Sequence, residues 1–514
     1  MKEQSIRRFS EHLFLFSAIA FSVGLSTSKI ILSISSMLMV LSVLLLGSYN
    51  TIPGRIKSAR VLHPLLFFLA LHITGLLWTS DFGFAGNDLK TKLTLLIVPV
   101  AFILHPLSTK KTGLILHFFV AAVLLTSLIN MLAWHQVFGK RTYTDIRELS
   151  LFGSHIRYGI LVAMAAAVCM FQIKQTSTLL KILFVLITCW FAYYTYYSQI
   201  VSGLLAFIVG LLAFLFTLSY ERSRLLAYSI IGIPTMVMVF IAVYLSGLTL
   251  TNEPRPEIFK NLPARTINGN PYTHNLEPGT FIDGKPTLAY LCEEELRSSW
   301  NAVSERPYDG TDKKGQPVRF TLMRFLTDLG ERKDSVGFLK LTRHDIALIE
   351  SGIASREEGK GGLFARWKGI RFQLQNNIDP NGHSLLQRLE YWKTALRIIE
   401  KNWWIGVGTG DLQKSFDEQY TEDQSKLLPE YRLRAHNSYL TAWLSFGIAG
   451  LVLFFWIIVR FLKHCFQRKH LIGFTFMLVA AATFLLEDTL ETQMGASFFA
   501  FFYGLFLSEE SKVS

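Results

Sequence analysis

The sequence predicts an all-α polytopic membrane protein, on three observations. Of its 514 residues 51% are hydrophobic and only 17% charged, against roughly 25% charged in a soluble domain. The apolar residues gather in blocks of roughly 18 to 25 positions nearly free of ionisable side chains, the length a helix needs to cross hydrocarbon. The turns between most blocks are short and basic.

Taken in order, the blocks fall at residues 12–28, 30–47, 61–78, 92–107, 112–136, 156–173, 179–196, 199–219, 225–247, 437–461, 471–487 and 494–508, which makes about twelve spans. The first follows Lys2, Arg7 and Arg8 in the manner of a signal peptide, but no small-residue cleavage site precedes the next block, so a retained span is expected. The first and second blocks, and the seventh and eighth, are so close that either pair reads equally as a re-entrant hairpin. With the N-terminus cytoplasmic, the turns holding Arg55, Lys57 and Arg60, Lys110 and Lys111, and Arg460, Lys463, Arg468 and Lys469 share that side, as the positive-inside rule requires. The expected organisation is therefore helices 1–9 in residues 1–247, a large outward-facing loop region in 248–435, and helices 10–12 in 436–514.

The formal net charge of +13 raises the question of a nucleic-acid partner, and its distribution answers it. From Leu248 to Arg434 there are about 27 Lys/Arg and about 26 Asp/Glu, a near-neutral stretch. The remainder holds about 24 basic and about 12 acidic residues, mostly beside the spans. This is a topology signal; no nucleic acid is expected. Four cysteines, Cys169, Cys189, Cys292 and Cys465, do not suggest a disulfide framework.

The loop region is too long to be structureless. Its start reads as turns between short extended pieces, as in Asn268-Gly-Asn-Pro-Tyr and Asp283-Gly-Lys-Pro. Helical patterns follow at 293–303, 320–329 and 343–353. The clearest begins with the capping box Ser384-Leu-Leu-Gln387 and carries Leu385, Leu389, Trp392, Leu396 and Ile399 along one face, ending before Gly406-Val-Gly-Thr-Gly410.

No Walker lysine, paired CxxC, HExxH or Asp-x-Asp motif is present, and the 406–410 run lacks GxGxxG spacing. No cofactor and no metal is expected. Arg157, His436, Glu487, Asp488 and Glu491 fall near the outer ends of predicted helices, at one depth. A charged site at the membrane surface fits this better than a pathway through it.

His436, in Arg432-Leu-Arg434-Ala-His436-Asn437, has the side chain best able to take up and release a proton near neutrality. Interfacial anchoring is its plain alternative, as helix capping is for Asn437. Arginine suits diphosphate through its planar, permanently charged fork. The candidates are Arg388, Arg157 and Arg434, with surface pairing or headgroup binding as their ordinary roles. Glu491 and Gln493, near Glu487 and Asp488, are candidates to support the arginines. Trp392, Trp403 and Trp404 are candidates to stack on sugar or simply to pack.

Arg388-Leu-Glu-Tyr-Trp392, Trp404-Ile-Gly-Val-Gly408-Thr-Gly410, Ala435-His436-Asn437-Ser-Tyr-Leu440 and Gly447-Ile-Ala-Gly450 together resemble the core of the O-antigen ligase and polymerase superfamily. Leu490-Glu491-Thr-Gln493-Met-Gly495 resembles its ligase-like branch, and the stretch Arg332–Gly352 resembles that branch's loop insertion. The resemblance implies a GT-C-type glycosyltransferase of the inner membrane, working on the periplasmic side without nucleotide or metal. It would move a glycan from undecaprenyl diphosphate to an acceptor hydroxyl, most directly on lipid A core in lipopolysaccharide biosynthesis. His436 would be the base and Arg388 a diphosphate ligand.

Many members also carry an arginine before a Ser/Thr-Gly pair, where this chain reads Gln199-Ile-Val201-Ser202-Gly203. Arg157 and Arg434 are the candidates to replace it. The same chemistry would serve a polysaccharide polymerase or a protein O-oligosaccharyltransferase. A secondary transporter or flippase would instead need inverted repeats and midplane charge.

Overall fold

The computed structural model describes residues 2–46, 52–137, 146–173, 176–220, 222–230, 232, 236, 262–276, 281–282, 285–313, 315–359, 380–381 and 384–508. They form two compact units, residues 1–233 with 387–514, and residues 234–386. The first unit opens with α1 (Lys2–Thr27), α2 (Lys29–Leu45), α3 (Ile52–Ser58), α4 (His63–Thr74), α5 (Phe82–Leu104), α6 (Thr109–Trp134), α7 (His155–Gln172), α8 (Thr178–Ser198) and α9 (Val201–Tyr220). The second contains β1 (Thr273–Asn275), β2 (Phe281–Ile282), β3 (Lys285–Pro286), β4 (Leu288–Leu291), α10 (Glu293–Asn301), α11 (Val318–Leu329), α12 (Ser335–Phe338), α13 (Arg343–Glu350) and α14 (Arg356–Gly359). The chain closes with α15 (Ser384–Asn402), α16 (Leu412–Glu422), α17 (Ser438–Gln467), α18 (Leu471–Thr483) and α19 (Gln493–Ser508).

The protein is an all-α polytopic membrane protein, but its twelve apolar blocks do not yield twelve full-length spans. Among the described residues six helices are long and apolar enough to cross a bilayer: Gln4–Thr27, Thr109–Trp134, His155–Gln172, Thr178–Ser198, Val201–Tyr220 and Ser438–Gln467. A seventh is reached if Ile52–Ser58 and His63–Trp78, bent by 110°, make one span. Helices α2, α18 and α19 are apolar yet short, roughly 20 to 26 Å at 1.5 Å per residue. Helix α5 starts ten residues earlier than the predicted block and so takes in Asp88 and Lys90 ahead of Lys92. Most of the predicted 225–247 span lies outside the described residues, as does the side chain of the expected Ser384 cap.

Helix α7 is the central element of the first unit. Every residue from Tyr158 to Phe171 is buried, and its small residues Ala163 and Ala165–Ala167 let neighbours approach. Gly159 lies against Gly203 of α9 so closely that a Cβ on Gly203 would stand 3.0 Å from the Gly159 Cα. Backbone-to-backbone contact of this kind gains dispersion energy where lipid offers no hydrophobic drive between helices. Aromatic side chains fill the rest: α19 buries Phe498, Phe499, Phe501, Phe502 and Tyr503, and the Tyr503 hydroxyl donates to the Val61 carbonyl at 2.6 Å.

Helix α17 is broken at Phe446 and Gly447, the latter at φ 61° and ψ −154°. The break does not leave its backbone unsatisfied. Val407 N–H donates to the Leu444 carbonyl at 2.8 Å, Gly408 N–H to Ser445 at 2.9 Å, and Ile448 N–H to Trp403 at 2.9 Å. Segment 403–408 thus replaces the hydrogen bonds lost at the break, the condition for irregular backbone at membrane depth. A Cβ on Gly447 would lie 2.0 Å from the Trp404 carbonyl oxygen. Gly447→Ala is therefore expected to cost at least ~3 kcal/mol from backbone conformation and clash combined. It should collapse the yield of monodisperse detergent-solubilised protein, and a wild-type yield and melting temperature would show that the break is dispensable.

The second unit has a small core around Trp300, Leu322, Phe325, Leu326 and Ile349. The expected extended pieces are two short antiparallel pairs, β1 with β4 and β2 with β3. The three helical patterns form α10, α11 and α13 within a few residues of their predicted ends. Polar staples supplement the core. Glu295 accepts from Thr266 Oγ1, Asn270 Nδ2, Ser335 N–H and Ser335 Oγ, and these donors outweigh burial to hold its carboxyl down at about 2. All four cysteines are free thiols.

Candidate functional site

Segment 431–437 enters α17, and its course is set by the helices around it. Tyr391 of α15 donates its hydroxyl to the Tyr431 carbonyl at 2.7 Å, Tyr420 of α16 to Leu433 at 2.7 Å, and Trp392 its indole N–H to Ala435 at 2.9 Å. Three aromatic side chains thereby satisfy three loop carbonyls while packing in one apolar cluster. Trp392 is a packing residue in this structure. Trp403 and Trp404 lie against each other, ring centroids 3.9 Å apart, and remain partly exposed.

Asp488 secures the next step of the chain. Its carboxylate accepts the His436 and Asn437 N–H groups at 3.1 Å each and the Thr441 hydroxyl at 2.7 Å. His436 sits at φ 48°, in the left-handed region where a side chain costs energy. The Asp488 grip stabilises that conformation and turns the imidazole towards Tyr391, ring centroids 5.8 Å apart. Asn437 is the N-cap of α17, accepting from Tyr439 and Leu440 N–H. Ser438 accepts from Thr489 N–H and donates to the Glu487 carbonyl, so the turn between α18 and α19 is sewn to the start of α17.

Around His436 the three sequence-predicted arginines converge. Arg388 donates through Nη2 to Glu487 at 2.8 Å, while its Nε is buried with no hydrogen-bond partner among the described residues. Arg434 reaches Glu491 through Nη1 at 3.3 Å and lies over the Phe84 ring. Arg157, at the start of α7, forms no hydrogen bond or ion pair among the described residues, though it lies within the field of Glu487 and Asp488. Its helix carries Gly159, which meets Ile200 and Gly203.

The electrostatics follow from this packing. Burial lowers the proton affinity of His436 below its ordinary 6.5; Arg388, Arg434 and Arg157 lower it further and Asp488 opposes them. The imidazole is therefore neutral at pH 7 and able to accept a proton. Burial pushes the Glu487 carboxyl up to about 7 against the pull of Arg388 and Arg157. A carboxyl that is only partly ionised near neutrality leaves Arg388 positive charge to spare.

The structure thus brings together His436, Arg388, Arg434, Arg157, Glu487, Asp488 and Glu491. It sends Gln493 elsewhere, to Ser33 of α2 at 3.0 Å. It also adds residues that sequence reading missed. Lys92, Asp88 and His72 are buried beside Glu491, which forms an ion pair with Lys92 at 2.8 Å. A signal existed in Asp88 and Lys92, one helical turn apart at the edge of an apolar block.

The glycine run 406–410 has a structural role. Gly406 and Gly408 have positive φ, Gly408 N–H reaches the α17 break, and Thr409 Oγ1 donates to the His72 carbonyl at 2.7 Å. Gly410 approaches the Asp81 carbonyl so closely that a Cβ would lie 2.0 Å away. Asp411 then accepts from Ser80 N–H, Ser80 Oγ and Asp81 N–H. The run fastens the loop to α4, α5 and α17 at once.

These features define a multi-pass helical membrane protein with a charged, histidine-centred cluster where several of its helices begin. A model of the O-antigen ligase family matches residues 360–455, a stretch that includes Arg388, Trp392, the glycine run, Arg434, His436 and the α17 break. Over this stretch the chain is similar to the O-antigen ligase family, which supports a function of the O-antigen ligase and polymerase type in general. No curated protein matches the chain.

Proposed function

We propose that the protein is a metal-independent inner-membrane glycosyltransferase that moves a glycan from undecaprenyl diphosphate to an acceptor hydroxyl at the periplasmic face, most directly O-antigen to lipid A core. The observation that carries this reading is the convergence of three guanidinium groups around one neutral imidazole. A lipid diphosphate is already a good leaving group. The enzyme must remove a proton from the acceptor hydroxyl and stabilise the charge that grows on phosphate.

In this mechanism the acceptor oxygen attacks the anomeric carbon of the donor sugar, and the bond from that carbon to the phosphate oxygen breaks. His436 takes the hydroxyl proton. Arg388, whose Nε has no partner among the described residues, Arg157, with no hydrogen bond or ion pair among them, and Arg434, weakly held, receive the diphosphate. Asp488 acts on the reaction by positioning the His436 backbone, and Asn437, Trp392 and Glu491 support the same loop and its arginines.

The direct test gives purified protein an undecaprenyl-diphosphate glycan with lipid A core, with a second lipid-linked glycan, or with a hydroxylated peptide. Transfer to lipid A core is the expected result. Transfer to only one of the others would identify a polymerase or a protein oligosaccharyltransferase, and movement of the glycan lipid across a liposome bilayer without covalent transfer would defeat the reading. The pH dependence gives a second prediction. Because folding lowers the His436 pKa, protonation and loss of the base occur only below pH 6.5. The acid limb of kcat/KM, which reports the free enzyme, should lie there and stay there in Glu487→Gln. A limb at pH 7 or above in both proteins would exclude His436 as the base.

A further inference from the structure

We infer that Lys92 is a positioning residue of the diphosphate site, holding Arg434 available by sharing Glu491 with it; the inference rests on the reading of Arg434 as a diphosphate ligand. Lys92 Nζ lies 2.6 Å from Asp88 Oδ1 and 2.8 Å from Glu491 Oε1, while the other oxygen of Glu491 receives Arg434 Nη1 at the longer distance of 3.3 Å. The Lys92 side chain is 2% exposed, and those of Asp88 and Glu491 8% and 9%. Charges buried so completely in an apolar helix bundle are costly, and removing one partner leaves the others uncompensated.

The arrangement follows the geometry of α5. Phe84, Asp88 and Lys92 are spaced four apart, so they lie along one face of the helix. Phe84 lies beneath the Arg434 guanidinium, and Lys92 binds its counter-ion. One face of α5 thus addresses both Arg434 and Glu491. The far side of the cluster is anchored as well: His72 Nε2 is 3.8 Å from Asp88 Oδ2, its Nδ1 is 2.9 Å from the Phe68 carbonyl, and its own carbonyl accepts from Thr409.

Counting charges shows what Lys92 does. Two carboxylates, Asp88 and Glu491, lie between two cations, Lys92 and Arg434. With Lys92 present, most of the Glu491 charge is neutralised from the α5 side, and Arg434 is held in place without being consumed. Without it, Arg434 becomes the only strong counter-ion of Glu491 and is drawn away from an incoming phosphate.

The test measures donor KM and kcat for transfer in detergent-purified Lys92→Met, in Lys92→Met/Asp88→Asn, which removes the surplus buried carboxylate should the single variant fail to fold, in Arg434→Gln, and in each combined with Arg434→Gln. Both Lys92 variants are expected to raise donor KM about tenfold with kcat little changed, and to add nothing once Arg434 is gone. Wild-type donor KM in Lys92→Met/Asp88→Asn, a loss confined to kcat, or an effect that adds to that of Arg434→Gln would each overturn the inference while leaving Arg434 a ligand. Wild-type donor KM in Arg434→Gln would instead remove Arg434 from the diphosphate site, and the inference with it.

Discussion

His436→Ala is expected to lower transfer by about 10² to 10⁴-fold, the usual contribution of a positioned general base, while the protein still inserts and purifies at wild-type yield. The separation of the two effects follows from the contacts. Asp488 holds this position through the His436 backbone N–H, which alanine retains. Among the described residues the side chain itself makes a ring contact with Tyr391 and no hydrogen bond. The one structural cost is the left-handed backbone at φ 48°, which asparagine tolerates better than alanine. His436→Asn therefore serves as the companion variant, matching the conformation without the basic nitrogen. Transfer within a few-fold of wild type by either well-expressed variant rules out the base.

The second large effect is expected at Arg388. Arg388→Lys keeps a cation opposite Glu487, so folding should be preserved, yet a point charge cannot reproduce the fork that offers Nη2 to Glu487 and, to the site, an Nε with no partner among the described residues. A loss of about 10² to 10³-fold in kcat/KM is expected, comparable to removing one preorganised donor to a developing anion. Arg388→Ala should lose as much transfer and also some stability, since Glu487 is then buried without its closest cation. The stability loss should shrink below pH 7, where the Glu487 carboxyl, pushed up to about 7, takes up a proton. Lowering the pH should not restore transfer. Equal activity of the Lys variant and the parent would show that Arg388 is a surface pair and no phosphate ligand.

Much of the fold was legible because it depends on periodicity and length. The apolar blocks are helices wherever they are described, and α10, α11, α13 and α15 follow their patterns because amphipathic spacing is a local property. Span number was less legible. A hydropathy block cannot report that α2, α18 and α19 stop short, or that α5 begins early enough to draw Asp88 inside beside Lys92. The candidate site was legible as residue types: the histidine and three arginines were identified singly, and they converge. Their partners were not, since Asp488 on the His436 backbone and Glu487 on Arg388 join positions 52 and 99 residues apart.

The sequence by itself determined that this chain is helical, membrane-spanning and equipped with a histidine and arginines at the ends of its apolar blocks, because hydrophobic periodicity and side-chain chemistry are written position by position. Only the tertiary structure decided how those groups share charge, that Gly406–Gly410 fastens the broken α17, and that Lys92 is held in the network behind Arg434. The physical reason is that desolvation and ion pairing depend on which distant side chains exclude water from the same volume, and no local pattern records that.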